Sequence, residues 1–115
     1  MKTAICLATL LITVTPVMAE FSKRFQRAEK HFSNRDYQKA ADLFSELAAE
    51  APNGHGKNWA LSYAARSIGR QEGGYGNAIE VAKTIPFEPV AFYTQMKVMD
   101  NNRKFKELSK RFADT

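Results

Sequence analysis

Cysteine is almost absent from this chain of 115 residues, in which Cys6 is the only one. A single thiol cannot form an intrachain disulfide, so packing of side chains has to stabilise the fold. Neither a paired CxxC nor an HExxH motif occurs in the sequence. The sequence therefore predicts no metal site and no cofactor site.

The motifs of several common enzyme classes are also missing, including the Walker loop and GxSxG. The glycine pairs at 54–56 and 74–76 do not follow predicted strands, which argues against a phosphate-binding loop. We therefore expect a protein that is not an enzyme. The alternative is a small hydrolase or ligand-binding domain acting on envelope polymers, with Glu72 or Glu80 as the acid, although no pattern places a second carboxylate beside either residue.

Residues 1–19 have the features of a secretory signal peptide. Lys2 is basic, Ala4 to Val14 is apolar apart from two threonines, and Val17-Met18-Ala19 provides the small-residue cleavage pattern. The apolar run is shorter than the about 20 residues that span a bilayer. We expect cleavage before Glu20 and export to the periplasm or the extracellular space, whereas an uncleaved segment would anchor the chain in the membrane.

Charge gives a weaker indication of the partner. The chain has 17 basic and 12 acidic residues, and removal of residues 1–19 would take away only Lys2, which leaves a net charge of +4. This excess is spread along the chain. For an exported protein we expect no nucleic-acid partner, while association with anionic envelope surfaces stays open.

Apolar residues recur three and four positions apart along most of the remaining chain, which predicts six short amphipathic helices. The predicted spans are 20–32, 37–51, 58–71, a short helix from Asn77 to before Pro86, 90–99, and a last helix marked by Phe105, Leu108 and Phe112. Asp36 is the expected N-cap of the second helix, and Pro52 is expected to end it. Asp100-Asn101-Asn102 is expected to turn the chain between the last two helices.

A period of 34 residues relates these helices to one another. Phe25, Trp59 and Tyr93 are 34 residues apart, as are Pro52 and Pro86, and 68 residues separate Tyr37, Ala40 and Phe44 from the stripe of the last helix. The order Tyr37, Ala40, Phe44, Leu47, Pro52 resembles the second helix of a tetratricopeptide repeat. The sequence is therefore similar to a tetratricopeptide array with three units at about 20–52, 53–86 and 87–115.

The resemblance implies an all-α array of antiparallel helix hairpins that binds a protein or peptide in a groove lined by the first helix of each unit. The residues expected on this surface are Glu29, Trp59, Tyr63, Arg66, Tyr75, Tyr93 and Lys97. Tyr75 belongs to a glycine-rich loop that is either an insertion accommodating a short fourth helix or an exposed contact segment. Unfinished apolar ends of so short an array would also allow homo-oligomers.

Overall fold

The structure is a computed structural model that describes the backbone of residues 19–113 and the side chains of residues 19–103 and Lys110. Most of the predicted signal peptide, residues 1–18, lies outside the described residues. Five α-helices account for all the regular secondary structure of the described chain. Their bounds are α1 19–33, α2 Tyr37–Glu50, α3 His55–Gly69, α4 Tyr75–Lys83 and α5 Glu88–Ala113. No helix within residues 19–113 has the length and apolar content needed to cross a membrane.

The all-α class is confirmed, but the number of helices is five and not six. Residues 88–113 form one continuous helix of 26 residues, so the chain does not turn at Asp100-Asn101-Asn102. Asp and Asn cost only about 0.7 kcal/mol each in a helix interior relative to Ala, and all three residues keep the backbone N–H that a proline would remove. The side chains of Phe105, Leu108 and Phe112, which marked the predicted sixth helix, lie outside the described residues.

The ends of the other helices follow local backbone chemistry. Ala51 is extended with ψ 140°, as expected before Pro52, and α2 ends at Glu50. Asp36 occupies the N-cap position of α2 without a side-chain capping bond, and its Oδ2 lies 3.3 Å from His31 Nδ1. Helix α4 begins at Tyr75 after Gly74, so the predicted start at Asn77 is two residues late.

The larger core lies where α1, α2 and α3 meet. Phe44 and Leu47 of α2 are at most 1% exposed, and both belong to one cluster of buried side chains. Small residues complete this cluster, namely Ala28, Ala40, Ala48, Ala60 and Ala64. Because alanine side chains are small, the helix backbones can approach one another closely. Phe44 and Leu47 then supply the large buried side chains of this cluster.

A second, smaller cluster joins the start of α5 to the connection that follows α4 and contains Ile85, Val90 and Ala91. Next to it, the hydroxyls of Ser62 and Thr94 lie 2.6 Å apart in a buried hydrogen bond between α3 and α5. Helix α5 thus buries small side chains. The sequence pattern indicated a shared face of Phe92, Met96 and Met99 on this helix, and these three residues are exposed.

Candidate partner-binding surface

Trp59 of α3 and Tyr93 of α5 form an exposed aromatic pair. Their ring centroids are 6.1 Å apart with the rings inclined at 71°, and the two side chains are 39% and 40% exposed. Lys97 is one helical turn beyond Tyr93, and its Nζ lies 5.6 Å from the Tyr93 ring centroid. An edge-to-face pair with a cation over one ring combines apolar area with positive charge. Three of the predicted surface residues are therefore brought together.

A second aromatic contact lies nearer the N-terminal ends of α3 and α5. His55, the first residue of α3, lies against Phe87, which precedes α5, with ring centroids 6.3 Å apart. Phe87 is 46% exposed, and His55 is also exposed. Two aromatic contacts thus join the N-terminal parts of α3 and α5 on the outside of the molecule.

Tyr63 lies mostly inside the fold. Its ring stacks on Phe44 with centroids 4.9 Å apart, and it meets Phe25 and Phe32 edge to face at 5.7 and 5.6 Å. These contacts make Tyr63 a part of the larger core, although the residue stays half-buried. The main contribution of Tyr63 is to hold α1, α2 and α3 together.

Arg66 covers the outer side of that aromatic cluster. Its guanidinium carbon lies 5.0 Å from the Tyr63 ring centroid and 5.3 Å from that of Phe32. The Nε atom is buried and has no hydrogen-bond partner among the described residues. One turn later Arg70 lies over Tyr37 at 5.7 Å. A cation at each of these two positions of α3 therefore lies on an aromatic ring.

Glu29 and Tyr75 stand apart from the pair of Trp59 and Tyr93. Glu29 is half-buried on α1. Tyr75 is the first residue of α4 and is 37% exposed, and none of the ring contacts found among the described residues includes it. The structure thus joins Trp59, Tyr93 and Lys97, places Tyr63 and Arg66 on the neighbouring cluster, and leaves the other two residues separate.

The acids of the alternative interpretation occupy different surroundings. Glu72 lines a cleft of about 340 Å³ together with Asp42 of α2, and both side chains are exposed. Glu80 instead lies 3.7 Å from Lys83 on the surface of α4. Within the described part of the chain no group of three or more His, Cys, Asp or Glu side chains could hold a metal ion.

A second cleft, of about 500 Å³, lies between the start of α1 and the connection from α2 to α3. At its edge Arg24 donates hydrogen bonds to both carboxylate oxygens of Glu50, the longer one at 3.3 Å. This hydrogen bond lowers the pKa of the Glu50 carboxyl and raises that of the Arg24 guanidinium. Both residues are on the surface, so this ion pair contributes little to stability.

Three strongly exposed apolar side chains of α5 were not among the predicted surface residues. Phe92 is 65% exposed, Met96 54% and Met99 43%. Their spacing predicts that they share one face of α5, and that face is exposed. The signal for the buried side was the row of small and β-branched residues, Val90, Thr94 and Val98, on the other side of α5.

Comparisons with protein-family models, curated proteins and solved structures find no match to this chain. Its function is therefore inferred from its own packing and surface.

Proposed function

We propose that this chain is an exported protein–protein interaction module without enzymatic activity. In this proposal its helices form a short array of antiparallel hairpins similar to tetratricopeptide repeats. The surface around Trp59, Tyr93 and Lys97 binds a protein or peptide of the cell envelope.

The order of contacts between α1 and α2 supports a hairpin. Arg24, near the start of α1, pairs with Glu50 at the end of α2, and Phe32, near the end of α1, meets Tyr37 at the start of α2. Phe25 meets Phe44 between these two contacts. Residue numbers fall along α2 as they rise along α1, which is the order that antiparallel neighbours require.

Contacts between α3 and α5 run in the opposite sense. His55 meets Phe87, and Ser62 meets Thr94, so in both contacts the partners are 32 residues apart. Further along, a Cβ built on Gly69 would lie 3.2 Å from Val98. Numbers that rise together indicate parallel helices, and separations close to 34 are those expected of the first helices of successive repeats.

The observation that carries the binding proposal is the exposure of Trp59 and Tyr93 on these first helices. Folding leaves about two fifths of each ring in contact with water although the rings already touch each other. Trp and Tyr are enriched among the residues that contribute most to protein interfaces, because their large rings bury much area at low cost in side-chain entropy. Lys97 beside them would favour a partner carrying an acidic group.

A capture experiment tests the binding surface. The chain without residues 1–19 is immobilised, exposed to envelope extract, and the retained proteins are identified by mass spectrometry. The identified partner is then titrated against Trp59→Ala and Tyr93→Ala, each of which should weaken binding by at least about tenfold. Met99→Ala removes a side chain of similar exposure from another face and should bind normally. Equal affinity of all three variants would contradict the proposal.

Export has its own test. Mass spectrometry of the protein recovered from the producing cells should give the mass of a chain that begins at Glu20. A chain that retains Met1 and sediments with membranes would favour the anchored form instead.

The second candidate function is a hydrolase that uses the cleft shared by Asp42 and Glu72. Two carboxylates in one cleft favour it, since acid–base hydrolysis commonly employs such a pair. The exposure of both side chains disfavours it, because catalytic sites usually exclude water. Assays on envelope polysaccharides should detect no turnover, and any turnover that Glu72→Gln abolishes would make this function the better one.

A further inference from the structure

Five exposed residues along one face of α5 have a symmetrical order of side-chain types. Glu88, Phe92, Met96, Met99 and Arg103 follow one another at intervals of four, four, three and four residues, so they share one face of the helix. All five residues are exposed. The line has an acid at its beginning, three large apolar side chains in the middle and a base at its end.

This line lies opposite the side of α5 that the fold buries. Val90, Thr94 and Val98 are at most 7% exposed and face α3 and its neighbours. Because successive residues are about 100° apart around a helix, Phe92 and Met96 point away from those buried positions. No other described element covers them, as their exposures of 65% and 54% demonstrate.

If a second copy of α5 is placed antiparallel to the first, each of the five residues in this line faces a complementary one. The acid then faces the base, the phenylalanine faces the outer methionine, and Met96 faces its own counterpart. We propose that this face of α5 binds a second copy of the chain, with the two α5 helices antiparallel about a two-fold axis near Met96. Such an isologous contact closes a dimer and leaves no repeated surface from which a filament could grow.

The five residues of this line make favourable contacts in the proposed dimer. Phe92 of one copy packs on Met99 of the other, which places a thioether against an aromatic ring. Glu88 pairs with Arg103 of the other copy at both ends of the interface. Opposite charges at the rim and apolar side chains at the centre are the usual anatomy of a protein interface.

Glu88 and Arg103 cannot make this pair within one chain. They are 15 residues apart on a single continuous helix, a separation of about 22 Å along its axis. Any coupling between the two charges therefore has to arise between molecules, which makes their reversal a specific test of the interface.

The dimer is independent of the proposed partner-binding surface. Tyr93 and Lys97 each follow a residue of the dimer face by one position and so point about 100° away from it. The three apolar side chains, with those at the edge, offer roughly 500 Å² per copy, less than the about 800 Å² of a standard stable interface. We therefore expect association in the micromolar to millimolar range.

Sedimentation equilibrium of the purified chain, up to about 1 mM, measures this association. The original chain should show a monomer–dimer equilibrium. Glu88→Arg and Arg103→Glu, each alone, should weaken the dimer by at least about tenfold, since each places like charges opposite one another. An equimolar mixture of the two variants should regain the original affinity as a heterodimer, because every base then faces an acid.

Two further variants define the surface. Met96→Glu, which keeps a good helix former at the centre of the face, should abolish the dimer. Lys97→Glu changes charge one residue away on another side of α5 and should leave the dimer unchanged. A chain that stays monomeric at the highest concentration would overturn the proposal, whether the face then binds another protein or a lipid surface. Association that ignores all the charge reversals, as it would if residues 1–19 caused it, would overturn it equally.

Discussion

Helices α1 and α5 are related by the 34-residue sequence period, yet the corresponding face is covered on α1 and exposed on α5. Positions 24, 25 and 28 of α1 correspond, 68 residues later, to positions 92, 93 and 96 of α5. On α1 these positions face α2: Arg24 pairs with Glu50, Phe25 meets Phe44, and Ala28 is fully buried. On α5 the corresponding residues are all exposed.

The difference shows that the period specifies which face of a helix can be covered, whereas the segment that follows decides whether it is covered. After α1 the chain turns at Arg35, which has a positive φ of 64°, and α2 packs on this face of α1. After Met99, by contrast, α5 continues without a turn to Ala113. The same kind of face is therefore a core surface in one region and an outer surface in the other.

The largest expected effect is the loss of Phe44 from the covered region. Phe44→Ala removes a fully buried ring that contacts Phe25 and Tyr63, and we expect it to lower the free energy of unfolding by about 3–5 kcal/mol. Phe92→Ala removes the same type of side chain from the exposed face of α5. It should change the free energy of unfolding by less than about 0.5 kcal/mol. Urea unfolding of both variants measures the contrast, and similar losses would mean that the Phe92 face is covered in solution.

A second contrast concerns Ala28 and Met96, which occupy corresponding positions of the sequence period. Each is given a side chain of the other's type or size. Ala28→Met forces a large side chain against α2 and should destabilise the protein by about 1–3 kcal/mol through overpacking. Met96→Ala at the corresponding exposed position should be close to neutral at concentrations where the chain is monomeric. Thermal melts of the two single variants provide the comparison, and a harmless Ala28→Met would show that α1 and α2 do not pack closely.

A smaller effect concerns how α5 is held on its covered side. The Thr94 hydroxyl donates to the Val90 carbonyl at 2.7 Å, so the Ser62 hydroxyl donates to Thr94 in their shared bond. Thr94→Val should cost about 1 kcal/mol because it leaves the buried Ser62 hydroxyl without this acceptor. The double variant with Ser62→Ala should recover most of that loss. Additive losses in the double variant would argue against a direct bond between the two hydroxyls.

The smallest expected effect is the pH dependence of the Arg24–Glu50 pair, which has no counterpart on α5. The pair lowers the folded-state pKa of Glu50, so its stabilising contribution is present above the ordinary carboxyl pKa and is lost as the pH falls through the lowered value. Glu50→Gln should therefore melt slightly below the original chain at neutral pH, and the difference should disappear in acid and shrink with added salt. Asp42→Asn controls for the loss of one negative charge from α2. A difference that persists in acid would point to a cause other than this ion pair.

Much of the fold was accessible from the sequence because helix periodicity is a local property. The pattern of Tyr37, Ala40, Phe44 and Leu47 predicted α2 and its buried face, and Pro52 predicted its end; all of this is confirmed. The starts of α3 and α4 were predicted late, since Gly54 and Gly74 act as N-caps without a side chain that would reveal them.

The rest depended on competition between elements that no local pattern records. Whether Asp100-Asn101-Asn102 turns or stays helical is a balance between the helix cost of these three residues, about 2 kcal/mol in sum, and packing of the following segment. The spacing of Phe92, Met96 and Met99 predicted that they share a face of α5, but it could not show that the helix buries its other side. There Thr94 and Val98 lie against small positions of α3, Ser62 and Gly69, which leave no room for larger side chains. For the candidate site, the period brought Trp59 and Tyr93 to equivalent positions, but only the packing of α3 on α1 and α2 could show that Tyr63 is enclosed by rings.

The close approach at Gly74 has a consequence for how the chain tolerates change. A Cβ at this position would overlap the carbonyl oxygen of Ile68, which belongs to the backbone and cannot rotate away as a flexible side chain would. A saturation library should therefore find Gly74, in a short surface connection, as intolerant of every other residue as a core position. Gly73 next to it, with a φ of 73° and no atom near its missing Cβ, should accept asparagine. The connection between α3 and α4 thus constrains sequence change by steric exclusion at one residue and by backbone conformation at the other.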